Sequence, residues 1–476
     1  MIFNSLVFFV FLAVVLCAYY CLTQRYQNYL LVIASYVFYG YWDWRFLFLI
    51  FISTIVDYYC GYGIHTAVSL RNKKLYLWVS VCVNIGILLF FKYFNFFIDS
   101  AQVLLSRFGF NQSLPVMNII LPVGVSFYTF QTLSYTLDIY RGKMKPTTDF
   151  LTFVLYVTYF PQLVAGPIER ARMLLPQLSS SRTVGWPQIG IGMELILIGF
   201  FKKVGISDML APMVDLRFQY TQYASWSDLI LAVYLFSIQI YCDFSGYSDI
   251  ARGVSKLFGI EIMRNFEQPY LSQSITEFWR RWHISLSSWF RDYVYIPLGG
   301  NREGVFKTYR NLMATMLVCG LWHGANWTFV LWGGYHGLFL MIQRVISQTR
   351  KNYQKKRDEF GCKQLIKIFF TFHLVAFGWI MFRCDSFSHF LIYVNGIISL
   401  QEGNKALTSV SWLSPKLWSL CIILFLMDLQ QYRTGRHAIL LYQNWGLRGV
   451  AYAGIISIIF LLGGIDVKVP FIYFQF

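Results

Sequence analysis

The sequence predicts an all-α, multi-pass membrane protein, and three observations carry that expectation. The chain of 476 residues is 57% hydrophobic and 20% aromatic but only 13% charged, with a mean hydropathy of +0.49, which is more apolar surface than one water-soluble core can bury. Its apolar residues fall in continuous runs, many of them long enough to cross about 30 Å of hydrocarbon as helices. Its Lys and Arg residues fall in short stretches between those runs, as expected of loops held on the cytoplasmic side.

Taken in order, the apolar runs are centred on residues 3–22, 28–42, 45–63, 76–98, 118–139, 150–166, 188–201, 226–246, 311–343 (read as two helices), 365–382, 387–400, 414–428 and 448–465. They predict roughly 10 to 13 membrane helices, the shortest of them re-entrant. The first run has no basic segment before it and no small-residue cleavage site after it, so it is read as a mature helix rather than a signal peptide. Arg71, Lys73 and Lys74, then Arg141, Lys143 and Lys145, then Lys202 and Lys203, and finally Arg350 to Arg357 mark cytoplasmic loops, which places the N-terminus outside. That count strains between 150 and 310, where Glu169, Arg170, Arg172 and Arg182 would fall on the wrong side. A segment that enters without crossing resolves it, and such a segment needs a protein-lined cavity to satisfy its backbone. No linker or internal repeat interrupts the chain, which is read as one membrane domain, 1–476, with its site in 264–337.

A formal net charge of +17 would suggest nucleic acid in a soluble protein. Here it is topology, and no nucleic-acid partner is expected; the surroundings are membrane lipids. The nine cysteines are scattered without a C-x-x-C, which supports neither zinc nor a disulfide framework, and no metal site is expected. Phosphate-loop and dinucleotide motifs are absent. Phe244-Ser245-Gly246-Tyr247-Ser248-Asp249 is the nearest approach to a serine nucleophile, and it lacks the G-x-S-x-G pattern.

Chemistry concentrates between Thr276 and Gly337. If 277–290 is one helix, Trp279, Trp282, His283, Leu286 and Phe290 share a face, and Glu277 pairs with Arg281 at i, i+4. That pattern also describes an interfacial helix anchored by Trp and Arg at the headgroups, the commoner meaning of such periodicity. His323 stands inside an apolar run, where an ionisable group is costly and is by default a functional-site hypothesis. Asn326 and Trp327 are its expected helix-face neighbours, and Gly320 and Gly324 leave room for a second helix or a substrate chain. A histidine satisfied by packing is the competing account. His336 lies nearer a helix end and is read as structural, as are His65, His373, His389 and His437. The chemistry natural to a buried imidazole without a carboxylate partner is general-base catalysis on a hydroxyl.

Five ordered motifs then converge. They are Gly166-Pro167-Ile168-Glu169-Arg170; Tyr241 to Asp249; Phe278-Trp279-Arg280-Arg281-Trp282-His283-Ile284-Ser285-Leu286; Arg291-Asp292-Tyr293 through Pro297-Leu298-Gly299-Gly300-Asn301; and Leu321-Trp322-His323-Gly324. Together they resemble the membrane-bound O-acyltransferases, most closely the bacterial branch that serves alginate O-acetylation and, next, teichoic-acid D-alanylation. The resemblance implies a helical fold around a tunnel, His323 as the catalytic histidine and His283 as the second active-site position. Arg280, Arg281 and Arg291 become candidates for guiding an anionic donor, unless they only snorkel to headgroups. Trp282, Trp322 and Asn326 become candidate substrate contacts.

What the resemblance further implies is a thioester donor on the cytoplasmic side, acetyl-coenzyme A or alternatively an acyl carrier protein, with no bound cofactor. It also implies an extracytoplasmic acceptor hydroxyl reached through a periplasmic or surface acetyltransferase partner, and residence in the bacterial inner membrane. Acetyl transfer to a polysaccharide is favoured, with D-alanyl transfer to teichoic acid as the alternative; a polysaccharide-linked transporter, using the histidines as a proton relay, is the reading from another class. Acyl transfer requires a passage that reaches His323.

Overall fold

The computed structural model describes residues 1, 3–110, 114–349, 361–403, 415–462 and 471–472; the basic run Arg350 to Arg357 lies outside the described residues. Every regular element among them is helical. In chain order the helices are α1 (Leu6–Tyr20), α2 (Gln24–Asp43), α3 (Leu47–Thr66), α4 (Leu70–Leu88), α5 (Phe94–Arg107), α6 (Val125–Tyr140), α7 (Phe150–Thr158), α8 (Phe160–Leu163), α9 (Ala171–Ser179), α10 (Trp186–Phe200), α11 (Asp208–Gln219) and α12 (Trp226–Leu257). Then come α13 (Ile275–Arg281), α14 (Ile284–Phe290), α15 (Val305–His323), α16 (Trp327–Thr349), α17 (Cys362–Arg383), α18 (Phe387–Ile398), α19 (Pro415–Thr434) and α20 (Trp445–Leu462). Five stretches, 24–66, 70–107, 226–257, 327–346 and 362–383, are long and apolar enough to cross a membrane, which makes this a multi-pass membrane protein. The runs expected at 28–42 and 45–63 fall within one such stretch, interrupted at Trp44–Phe46 by a turn of 3-10 helix.

The chain forms two compact units. The first comprises residues 1–192 and 251–263, the second 193–250 and 264–476. In the first, α3, α4 and α6 are joined by polar groups. The buried Asp57 carboxylate accepts from Asn84 Nδ2 at 2.8 and 3.0 Å and from Ser80 Oγ at 2.5 Å. In hydrocarbon, where apolar contact alone drives little association, such bonds join helices. The loop expected to carry Glu169 is buried in this unit, and the Glu169 carboxyl accepts the backbone N–H of Met263.

In the second unit, backbone proximity does comparable work. A Cβ added at Gly246 of α12 would lie 2.7 Å from the Gly199 carbonyl of α10, so those helices touch main chain to main chain. Below that crossing Lys203 bridges Asp208 at 2.7 Å and Asp243 at 2.5 Å, and Lys202 meets Asp249 at 2.9 Å, so the buried charges are paired. The hairpin of α15 and α16 is closer still, built on Gly320 and Gly333, and it carries His323 at its bend.

Candidate functional site

The helix expected over 277–290 is two helices, and the break falls at the histidine. α13 starts on Ser274, whose hydroxyl accepts from the Glu277 N–H at 3.2 Å, while the Glu277 carboxylate reaches back to the Gln273 N–H at 2.9 Å. The Ser274 hydroxyl thus caps the helix, and Glu277 ties down the residue before the cap. α13 ends at Arg281, and His283 takes a left-handed conformation, φ 42° and ψ 56°, before α14 begins. Left-handed backbone is uncommon outside glycine and persists where the surroundings enforce it. Here residues 265–267 do so: Asn265 O accepts the Ile284 N–H at 2.9 Å, the Glu267 N–H donates to Arg281 O at 3.0 Å, and Ser285 Oγ donates to Asn265 Oδ1 at 2.6 Å. Asn265 is itself tied to α12 through Ser248 Oγ at 3.1 Å. These long-range bonds outweigh the local preference for one helix, so the face proposed from periodicity does not exist as a single surface.

His323 is likewise placed by a chain ending rather than by a helix interior. α15 stops at His323, Gly324 is extended, and α16 resumes at Trp327. Asn326 and Trp327 therefore do not share its helix face. Asn326 Nδ2 donates to Asp385 O at 2.7 Å and its Oδ1 accepts from the Thr328 N–H at 3.0 Å, so the amide staples the hairpin bend. Trp327 is exposed.

These two interruptions bring the imidazoles together. The ring centres of His283 and His323 lie 6.4 Å apart, with exposures of 0% and 2%. Trp322 touches both, at 6.0 and 5.1 Å. Phe244 of α12 stands edge-on to His283 at 4.6 Å, and Trp332 of α16 and Phe382 of α17 stand edge-on to His323 at 5.0 and 5.4 Å. Burial lowers the His283 pKa to about 3, which keeps that ring neutral at ordinary pH. Trp282 turns the other way, onto Phe266 at 5.0 Å and Trp379 at 4.9 Å, so it supports the pair at one remove.

Beside the pair lies a cavity of about 700 Å³. Arg280, Arg291 and Arg344 line it together with Asn301, Gln343, Ser287 and Ser288, and no carboxylate residue is among its lining side chains. Arg280 and Arg291 are where the sequence placed an anion-guiding role. Arg281 is elsewhere: it pairs with Glu277 at 2.8 Å, as the i, i+4 spacing predicted, and lies 4.8 Å from the centre of the Tyr432 ring. Trp279, Met316 and Cys319 also line it; Cys319 stands one turn from His323 on α15, and neither His283 nor His323 is among the lining residues.

Sequence reasoning missed Asn265, Arg344, Trp332 and Phe382. Arg344 carried a usable signal, an isolated cation at the end of an apolar run. Asn265 carried none, since its role depends on backbone contacts twenty residues away.

Residues 145–386 match the model of the membrane-bound O-acyltransferase family. The chain is 44% identical over 389 residues to the probable alginate O-acetylase AlgI of Pseudomonas putida, covering 81% of this chain and 78% of the relative. It is 32% identical over 432 residues to the peptidoglycan O-acetyltransferase of Helicobacter pylori, covering 84% and 80%. To the teichoic acid D-alanyltransferase of Streptococcus thermophilus it is 31% identical over 283 residues, covering 55% and 68%. With a buried histidine pair at the motifs that carried the resemblance, and relatives of this identity over most of its length, the chain belongs to the membrane-bound O-acyltransferase family.

Proposed function

We propose that this O-acyltransferase takes acetyl from a cytoplasmic thioester, acetyl-coenzyme A, and delivers it for O-acetylation of an extracytoplasmic polysaccharide from the bacterial inner membrane. The observation that carries the reading is the pair of buried imidazoles 6.4 Å apart beside a cavity lined by three arginines and no carboxylate. The names of the relatives, an alginate O-acetylase and a peptidoglycan O-acetyltransferase, support acetyl as the group and a polysaccharide as the acceptor.

In this mechanism His323 is the general base. Its ring takes the proton of the acceptor hydroxyl as that oxygen attacks the thioester carbonyl. The tetrahedral adduct then expels the thiolate, which recovers the proton from the His323 imidazolium. His283, neutral and held across from it by the strained break, supplies a hydrogen bond to the reacting oxygen. A base of this kind contributes on the order of 10² to 10⁴ in rate, and the dry aromatic surroundings keep water from the thioester. Arg280 and Arg291 attract the donor's phosphates. The acceptor side is served by a periplasmic or surface acetyltransferase that passes the group on to the polymer.

The test is transfer of labelled acetyl from acetyl-coenzyme A in membranes that contain the protein and its polymer-acetylating partner. Wild-type protein should label polymer, and His323→Ala should not while remaining folded. Equal labelling by both proteins would overturn the assignment of the base, and labelling only from an aminoacyl carrier protein would replace acetyl by D-alanyl.

A further inference from the structure

His336 was read from the sequence as structural, and its surroundings argue otherwise. It is fully buried, and neither ring nitrogen has a hydrogen-bond partner among the described residues. Buried polar groups are ordinarily paired, and each exception calls for a physical reason. The rings of Trp332 at 4.8 Å, Trp279 at 5.2 Å and Tyr335 at 5.5 Å pack around it. Gly378 of α17 approaches so closely that an added Cβ would stand 3.1 Å from Nε2.

The position of the ring gives it a task. Trp332, His336, Leu340 and Gln343 form one slowly winding stripe on α16. At one end Trp332 touches His323, and at the other Leu340, Gln343 and Arg344 line the arginine-rich cavity. From Trp332 to Arg344 the helix rises about 18 Å, and His336 stands between them. Trp279, which lines that cavity, also stands edge-on to the His336 ring.

We propose that His336 is a donor-binding residue, whose imidazole hydrogen-bonds an amide of the pantetheine arm as the thioester passes Trp279 toward His323. This rests on the reading of the donor as a pantetheine thioester. In such a molecule the phosphates lie at one end, the thioester at the other and two secondary amides between. Arg344, His336 and His323 present a cation, a neutral donor–acceptor and a base in the same order. A neutral imidazole offers one N–H and one lone pair, the complement of an amide's carbonyl and N–H, whereas the Trp279 and Trp332 indoles offer a donor alone and the Tyr335 hydroxyl is spent on Leu374 O.

Affinity separates this from a packing role without depending on turnover. S-Ethylpantetheine, which cannot transfer an acyl group, is titrated against the purified full-length protein by thermal melting, beside an alkyl thioether of equal length with methylenes in place of the amides. Wild-type protein should bind the amide compound about tenfold more tightly, one hydrogen bond's worth in a dry site. His336→Phe should abolish that preference, and His336→Gln, which keeps a donor and an acceptor, should restore most of it. A wild-type protein that binds the alkyl compound as well or better overturns the proposal even if no variant folds. So does a preference that survives in His336→Phe. Absence of labelling from acetyl-coenzyme A would instead tell against the acetyl reading, which this titration does not measure.

Discussion

The hairpin of α15 and α16 makes a quantitative prediction about how His323 is held. A Cβ added at Gly320 would sit 2.1 Å from the Phe329 carbonyl oxygen, and one added at Gly333 would sit 2.2 Å from the Met316 carbonyl oxygen. Cβ contacts under 3.0 Å essentially do not occur, so either alanine forces the helices apart by about 1 Å. The obstructing atoms are backbone and have no rotamer to escape into. Overpacking of this kind costs about 1–3 kcal/mol, and in hydrocarbon little hydrophobic drive exists to reclose the gap. The same opening draws Trp332 away from His323, whose rings are now 5.0 Å apart. Gly320→Ala and Gly333→Ala should therefore each lower the melting temperature of the detergent-purified protein and reduce acyl transfer. Because both demand the same displacement, the double variant should lose less than the sum of the two. Gly324→Ala is the control: its Cβ would meet the Phe329 ring, also at 2.1 Å, but a side chain can turn aside, so its loss should be smaller. An unchanged melting temperature in Gly320→Ala, or strictly additive losses in the double variant, would refute the reasoning.

Three further outcomes follow. Asn265→Ala removes the acceptor of Ser285 Oγ and the donor to Ser248 and should cost about 1–3 kcal/mol; transfer should fall further than in Ser285→Ala, because the segment whose backbone braces the turn at His283 loses its side-chain tie to α12, and equal activity in the two variants would count against that tie. Burial raises the Glu169 pKa from 4.5 to about 8, although the Met263 N–H it accepts opposes the shift. Its contribution to stability is thus fully present below pH 4.5 and is lost as pH rises through about 8, while the unfolded chain ionises freely. Glu169→Gln keeps an acceptor for Met263 and should flatten the fall in melting temperature across that window; an unaltered slope would place the effect elsewhere. Finally, Arg344→Ala should raise KM for acetyl-coenzyme A about tenfold with kcat little changed, whereas Arg281→Ala, away from the cavity, should leave KM alone and cost stability through Glu277.

The amino-acid sequence by itself determined the class of molecule and the identity of its chemistry. Apolar runs of spanning length can only be helices in a bilayer, and motifs around His283 and His323 carried the family. Even the Glu277–Arg281 pair was legible, since i, i+4 contacts depend on four consecutive residues alone. What tertiary structure decided was the shape of the site. Helical periodicity placed Trp282 and His283 along one face and Asn326 beside His323, yet both helices stop at the histidine. The first stops because Asn265 captures the Ile284 N–H, a bond between residues far apart in sequence. The second stops where Asn326 fastens the bend to Asp385. Arg344 of α16 joins Arg280 of α13 and Arg291 around one cavity because the fold brings those segments together, a proximity between residues far apart in sequence, while Arg281 meets Glu277 and Tyr432 instead.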